Sequence, residues 1–167
     1  MHANSATLAF GSGYANAPMR IFLLDFKFKI TIFMKKFEIL EHKADLKIRT
    51  FGKDKKELFL NSMIGMFESA RYEGEGQEIK REIKVSSIDL PSLLVDFLSE
   101  VLYLSEVNRE AYYQLQFQKF TDKNLEGILL GKKLKRVGVI IKGVTYHDLD
   151  IHQKEDKTWE ATILFDI

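Results

Sequence analysis

The chain has 167 residues, a length that suits one folded domain, and its 25 Lys and Arg against 24 Asp and Glu give a formal net charge of +1. With 46% hydrophobic and 29% charged residues, its composition is typical of a globular protein and excludes a disordered chain. The near-zero charge argues against a protein that holds nucleic acid by neutralising phosphates, and the absence of cysteine excludes disulfides, thiolate zinc sites and a cysteine nucleophile.

The first 33 residues differ in pattern from the rest. Residues 1–18 are small and polar without periodicity, which predicts disorder. Residues 26–32 alternate apolar and polar side chains, a pattern that indicates either an extra edge strand or a translated leader upstream of a true start at Met34. We favour the leader and predict a domain over 34–167. The apolar run is too short for a secretion signal or a membrane span, so we expect a cytoplasmic protein.

The body from Met34 onward predicts strands interrupted by two helices. Asp54 with Glu57 three residues later forms a capping-box signature for the first helix, and Asp89 with Pro91 in the first turn begins the second. The predicted strands cover 37–40, 46–50, 77–85 (a charged edge strand), 113–117, 125–134, about 139–152 and 158–165. Because two helices cannot serve as regular crossovers for these strands, the pattern predicts an α+β fold, a two-layer β-sandwich or sheet with two helices packed on it.

Three groups of carboxylates could supply the oxygen ligands that a hard cation prefers. Asp45 lies at the entry to a strand. Asp148 and Asp150 are two residues apart on a later strand, which puts them on the same face. Asp166 precedes Ile167, whose own carboxyl group ends the given sequence. An aspartate at a strand entry is usually a turn residue, and carboxylates on strand edges are usually solvated. Each group is therefore a weak metal signal by itself.

Other polar groups in the sequence carry little catalytic signal. Asp96 and Glu100 share a helix face, which is more simply a solvated face than an acid–base pair. His42 and His147 lack a third close ligand for zinc, and no Ser/His/Asp arrangement, phosphate loop or nucleophile elbow is visible. The basic stretch 131–137 predicts a solvated loop, with contact to RNA or to a protein partner as the alternative.

Four blocks of this sequence resemble the archease family, in the family's order, over about residues 35–167. The first, HKADLKIRTFG, is similar to the family's His-Thr-Ala-Asp-Ile-Gly-Ile type of opening, with Lys43 and Lys47 in place of the usual Thr and Gly. The second, LLVDFLSEVLYL, resembles a family helix that usually has Trp where Phe97 stands. KGVTYHDL is similar to the family's Lys-Ala-Val-Thr-Tyr-His segment, and FDI to its ending.

The resemblance implies a divalent-metal site, with calcium the ion commonly associated with it. It implies Asp45, Asp166 and the terminal carboxylate of Ile167 as ligands, with His147 and Asp148 close around them. It also implies a partner, the RtcB-type RNA ligase, which joins RNA ends in tRNA splicing and repair through a GMP-linked histidine. Lys142 matches a family lysine tied to activation, which would contact phosphate or a ligase carboxylate.

The function implied is a non-catalytic activator that promotes guanylylation and multiple turnover of the ligase. Such a protein would meet RNA only through the ligase and would take no small-molecule substrate. Two alternatives are a chaperone-like binding module for RNA-modifying enzymes and a small metal-dependent hydrolase that uses the same carboxylates. The absence of a visible base–nucleophile pair weighs against the hydrolase.

Overall fold

The computed structural model describes residues 35–42 and 44–167, so the expected N-terminal leader or extra strand, the boundary at Met34 and Lys43 lie outside the described residues. Seven strands and two helices follow one another along the described chain. In order they are β1 (Phe37–Leu40), β2 (Leu46–Gly52), α1 (Lys55–Ser69), β3 (Glu73–Ser86), α2 (Leu90–Asn108), β4 (Glu110–Phe120), β5 (Asn124–Arg136), β6 (Gly143–Gln153) and β7 (Trp159–Asp166).

The strands form two antiparallel sheets. The first sheet has the order β1-β2-β7-β6 and the second the order β3-β5-β4. Each helix contacts strands of both sheets, and α1 and α2 also contact each other. The predicted α+β class, its two helices and the edge position of the charged strand β3 are confirmed.

Both helices begin at the predicted caps. A carboxylate oxygen of Asp54 accepts a hydrogen bond from the Glu57 backbone N–H at 2.8 Å, and Asp89 does the same for Ser92. These bonds satisfy N–H groups that have no partner within the helix. The Glu57 side chain accepts from the backbone N–H of Lys53 at 2.7 Å. In a strict capping box the donor would be the next residue, the N-cap Asp54.

Helix α1 is buried around much of its circumference because both sheets contact it. Phe59, Met63 and Met66 of α1 are fully buried and lie in one core with residues of α2 and both sheets. Polar residues in the same segment are satisfied locally, as where Asn61 donates to the Phe51 carbonyl oxygen at 2.6 Å. Such pairing offsets the cost of removing the amide from water.

Three elements differ from the sequence predictions. The predicted strand 125–134 is confirmed as β5, which continues to Arg136 and pairs there with β3, so the prediction of a basic loop over 131–137 is wrong. Strand β6 begins at Gly143 rather than near 139, because the preceding backbone N–H of Val139 bonds to Ala70 at the end of α1. Strand β4 begins at Glu110 rather than 113, and a register shift within it buries Tyr112 and exposes Tyr113.

Candidate functional site

One end of the first sheet gathers most of the predicted site residues. Leu46, the first residue of β2, pairs with Phe165 on β7, so Asp45 and Asp166 are the next residues at the same end of neighbouring strands. On the other side of β7, Asp166 pairs with Gly143 of β6. Residues that are far apart in sequence therefore meet here by register, and we call this end of β2, β7 and β6 the acidic edge.

Lys142 ties the end of β7 to the start of β6. Its backbone N–H donates to the carbonyl oxygen of Asp166 at 2.8 Å, and its ammonium donates to the main-chain oxygen of Ile167 at 2.9 Å. Both bonds hold the last two residues against β6. The structure thus gives the predicted activation lysine a partner within its own chain.

A large bulge in β6 carries His147 and Asp148. Thr145 pairs with Leu164 and Asp150 with Thr162, so the four residues 146–149, here called the β6 bulge, lie opposite a single residue of β7. Asp148 has φ +54°, in the left-handed region that few residues other than glycine adopt. The bulge interrupts the alternation that was expected to put Asp148 and Asp150 on one strand face, and the Asp150 carboxylate pairs instead with His152 at 2.8 Å.

The Asp148 carboxylate lies among three basic groups. Lys47 Nζ is 2.9 Å from Asp148 Oδ2, and His147 Nε2 is 3.5 Å from Asp148 Oδ1. The hydrogen bond from Lys47 lowers the pKa of Asp148 most, and the charges of His147 and Lys47 and, more weakly, His42 lower it further. Asp148 is therefore held as a carboxylate beside Lys47.

Asp45 has a histidine neighbour of its own. His42 Nδ1 lies 3.4 Å from Asp45 Oδ2 and accepts a hydrogen bond from the Asp45 backbone N–H at 3.3 Å. These contacts fix the turn that leads into β2. The structure therefore brings Asp45, Asp166, Ile167 and Lys142 to one edge, with His147 and Asp148 in the bulge of the strand beside it.

The donor atoms at the acidic edge suit a hard cation. Within residues 35–42 and 44–167, no group of three or more His, Cys, Asp or Glu side chains is placed to hold a metal ion. A set made of Asp45, Asp166 and the carboxyl group of Ile167 is consistent with that finding, because it contains only two such side chains. The Thr145 hydroxyl oxygen, on the strand beside β7, is buried without a hydrogen-bond partner in the described part of the chain. Carboxylate and hydroxyl oxygens fit calcium better than they fit zinc.

Sequence reasoning missed a second charged cluster, on the second sheet. The Glu110 side chain is fully buried and receives two hydrogen bonds from Arg81, at 2.8 and 2.9 Å, one from Lys133 at 3.0 Å and one from the Tyr112 hydroxyl at 2.9 Å. The Arg81 bonds hold the pKa of Glu110 at about 2 against the opposing effect of burial. Burial and the Glu110 charge raise the pKa of Tyr112. Only the excess of basic residues in 131–137 hinted that a buried acid would face them.

The same sheet lines a cleft of about 630 Å³. Aromatic residues from α1, β4 and the connection after α1 form much of its wall, and it includes none of the six predicted site residues. Its lining residues include Phe67, Tyr72, Tyr112, Tyr113, Lys36 and Lys132. The predicted site is therefore a surface edge that lies outside this cleft.

No helix in the described part of the chain combines the length and the apolar character that a membrane crossing requires.

Comparison with known proteins agrees with the resemblance found in the sequence. The model of the Archease protein family matches residues 37–167. Protein archease of Methanosarcina barkeri is 37% identical over 145 residues, covering 80% of this chain and 97% of that protein. The solution structure of Methanobacterium thermoautotrophicum protein 1598 has a TM-score of 0.57 at 27% identity, over 80% of this chain and all of that one. The crystal structure of a Thermotoga maritima archease, described as a possible chaperone, has a TM-score of 0.56 at 19% identity, over 77% of this chain and 94% of that one, and shows the shared fold.

Proposed function

Because the chain belongs to the archease family, we propose that it is a cytoplasmic, non-catalytic activator of an RtcB-type RNA ligase that promotes guanylylation and multiple turnover in tRNA splicing or RNA repair. The observation that carries the proposal is the acidic edge, where Asp45, Asp166, Ile167 and Lys142 meet by strand register. The description of the Thermotoga maritima relative as a possible chaperone also supports action on a partner protein.

We propose that this edge binds a divalent cation, calcium by its ligand chemistry. Asp45, Asp166 and the carboxyl group of Ile167 would hold it, and His147 and Asp148 would lie around them. When bound, the cation offsets the repulsion among the carboxylates and presents positive charge at the surface. The chain's own contribution is to fix the oxygen donors, since Lys142 holds Ile167 and the β2–β7 register brings Asp45 next to Asp166.

The acidic edge would dock near the nucleotide site of the ligase, with RNA bound by the ligase alone. The net charge of +1 supports a protein that leaves RNA binding to the ligase. In addition, most basic residues of the stretch 131–137 have acidic partners. Lys133 pairs with Glu110 and Lys135 with Glu75, which leaves little free charge on β5 for phosphate. Lys142 would take part in docking through the protons of its ammonium that Ile167 does not use.

A reconstituted ligation assay tests the activator proposal. The cognate ligase would be supplied with GTP, a divalent metal and an RNA with ligatable ends, and this protein would be added below the ligase concentration. We expect multiple turnover to rise, and Asp45→Asn to lose most of that rise. Asp150→Asn is the matched control, because Asp150 is an exposed carboxylate on the same sheet whose partner is His152.

Two outcomes would count against the activator proposal. Unchanged turnover with the wild-type protein would remove it altogether. Equal activation by Asp45→Asn and wild type would separate activation from the acidic edge. The chaperone alternative, favoured by the description of the Thermotoga maritima relative, predicts instead less light scattering from heated ligase without GTP, and no effect on turnover of ligase that is already folded.

The ligand role of Ile167 has its own test. Adding three glycines after Ile167 would move the terminal carboxylate away from Lys142 and from the proposed site. We expect calcium affinity, measured by calorimetry, to fall about tenfold, which corresponds to about 1.4 kcal/mol. Affinity equal to that of the wild type would remove this carboxyl group from the ligand set.

A further inference from the structure

Lys47 lies on β2 beside the acidic edge, and its ammonium pairs with the β6 bulge. It is the Cα partner of Leu164 on β7, two residues from Asp166, and it follows Asp45 by two residues. Its ammonium is 2.9 Å from Asp148 Oδ2, and its side chain is only 20% exposed. Because alternate residues of a strand share a face, Lys47 and Leu164 lie on the sheet face that Asp166 also occupies.

The ion pair joins the two strands that flank β7. Leu164 has Lys47 beside it on β2 and Thr145 beside it on β6, and the β6 bulge follows directly after Thr145. Leu164 is only 4% exposed although the helices pack on the other face of this sheet. The extra residues of the bulge thus let Asp148 meet Lys47, and a β6 strand in regular register would not place it there.

We propose that Lys47 is a tethered competitor for the divalent cation at the acidic edge, which holds Asp148 out of the ligand set and weakens calcium binding. The inference rests on the proposed metal site. An ammonium and a calcium ion both seek carboxylate oxygens, and they repel each other. With Lys47 in place, Asp148 is already paired, so calcium meets one carboxylate fewer and one positive charge more.

Lys142 plays a different part at the same edge. Its ammonium bonds to Ile167, but its backbone N–H also bonds to Asp166, so it fixes two donors of the proposed set in position. Lys47 instead bonds to a carboxylate outside that set. Removing the Lys47 charge should therefore strengthen calcium binding, whereas removing Lys142 should not.

Calorimetric titration with calcium chloride on the full chain tests the inference. Lys47→Met keeps the apolar stem and removes the charge, and Lys47→Gln provides a second neutral side chain. We expect calcium to bind each variant about fivefold more tightly than wild type, as expected for losing one positive charge near a divalent ion in a largely aqueous setting. Lys84→Met is the matched control, because Lys84 pairs with Glu126 on the second sheet and should leave affinity unchanged.

A double variant identifies the carboxylate that is released. Lys47→Met with Asp148→Asn should lose most of the gained affinity, because the freed ligand is gone. Thermal melting followed by circular dichroism would show that each variant is folded. If the double variant gains as much calcium affinity as Lys47→Met alone, the role of Asp148 is overturned.

The remaining outcomes separate this inference from the metal site itself. If wild type binds calcium and the folded Lys47 variants bind it equally or more weakly, the competitor role is overturned and the metal site stands. If neither wild type nor the Lys47 variants bind calcium, the metal site and the competitor role fall together.

Discussion

The environment of Glu110 differs strongly from that of a free side chain. A fully buried carboxylate is costly to keep charged. Arg81, Lys133 and Tyr112 offset this cost because each donates a hydrogen bond to the Glu110 carboxylate. Arg81 lies on β3, Lys133 on β5 and Glu110 at the start of β4, so the cluster links all three strands of the second sheet. The Ser105 hydroxyl also donates to the Glu110 carbonyl oxygen at 2.6 Å, which ties α2 to the same point.

Glu110→Gln should destabilise the fold by about 3 kcal/mol at pH 7, because it removes the charge that two cations face. The folded-state pKa of about 2 lies below the ordinary value of 4.5, so this stabilisation is fully present above pH 4.5 and is lost as the pH falls toward 2. Urea unfolding at pH 7 and at pH 3 would measure the free energy of unfolding. The difference in this free energy between wild type and Glu110→Gln should be smaller at pH 3 than at pH 7.

Glu126→Gln is the control for this prediction. Glu126 is a partly exposed carboxylate on β5 that pairs with Lys84 at 3.2 Å, so its substitution should cost less than about 1 kcal/mol. The difference in free energy of unfolding between wild type and Glu110→Gln could instead stay constant from pH 7 to pH 3. That result would mean that the charge of Glu110 contributes little and that the variant loses stability through packing.

At the scale of elements, the close approach of α1 to the end of β2 depends on Gly52. A Cβ at this position would lie 2.8 Å from the carbonyl oxygen of Asp54 and closer still to the backbone nitrogen of Leu58. Both neighbours are backbone atoms of the first helical turn, which cannot move aside as a flexible side chain can. The glycine thus lets the chain turn directly from strand into capped helix.

Gly52→Ala should therefore destabilise the protein by about 2 kcal/mol or more, through strain between β2 and α1. Gly143→Ala is the matched control, since a Cβ there would meet no atom within 4 Å and should change stability by less than about 0.5 kcal/mol. Thermal or urea unfolding of both variants would test the contrast. Equal stability of the two would show that the first turn of α1 relaxes without cost.

Elements governed by local chemistry were predictable from the sequence. The caps at Asp54 and Asp89 follow from nearby residues, and the structure confirms them. The basic stretch 131–137 was misassigned because acids that pair with it, such as Glu75 and Glu110, lie on other strands. The β6 bulge was also missed, because an alternating sequence looks the same whether or not its partner strand keeps register.

At the scale of the whole molecule, the candidate site also combines residues that the sequence predicted with contacts that only the assembled sheet determines. The sequence resemblance named Asp45, Asp166 and Lys142, but their meeting depends on the order β2-β7-β6, which joins residues about 120 positions apart in the chain. No local pattern encodes that order. The contacts of Lys47 with Asp148 and of Lys142 with Ile167 likewise required the assembled sheet.

At the same scale, removal of the first 33 residues tests whether they are a leader or part of the fold. The seven strands, both helices and the buried core all lie between Phe37 and Ile167, the range that the family model also matches. A variant that begins at Met34 should therefore melt within about 2 °C of the full chain, because no described core contact is lost. It should also keep the calcium affinity of the full chain, since the proposed ligands are all retained.

Differential scanning calorimetry and calcium titration would compare this variant with the full chain. Removal of Asp166 and Ile167 instead is the contrasting control, because it deletes both partners of Lys142 and two proposed ligands. That variant should lose calcium binding while it keeps every buried core residue from Ile48 to Phe165 and loses only the partly buried Ile167 from the packing around them. A large fall in melting temperature on removing residues 1–33 would show that the segment contributes to the fold, and would favour the extra edge strand over the leader.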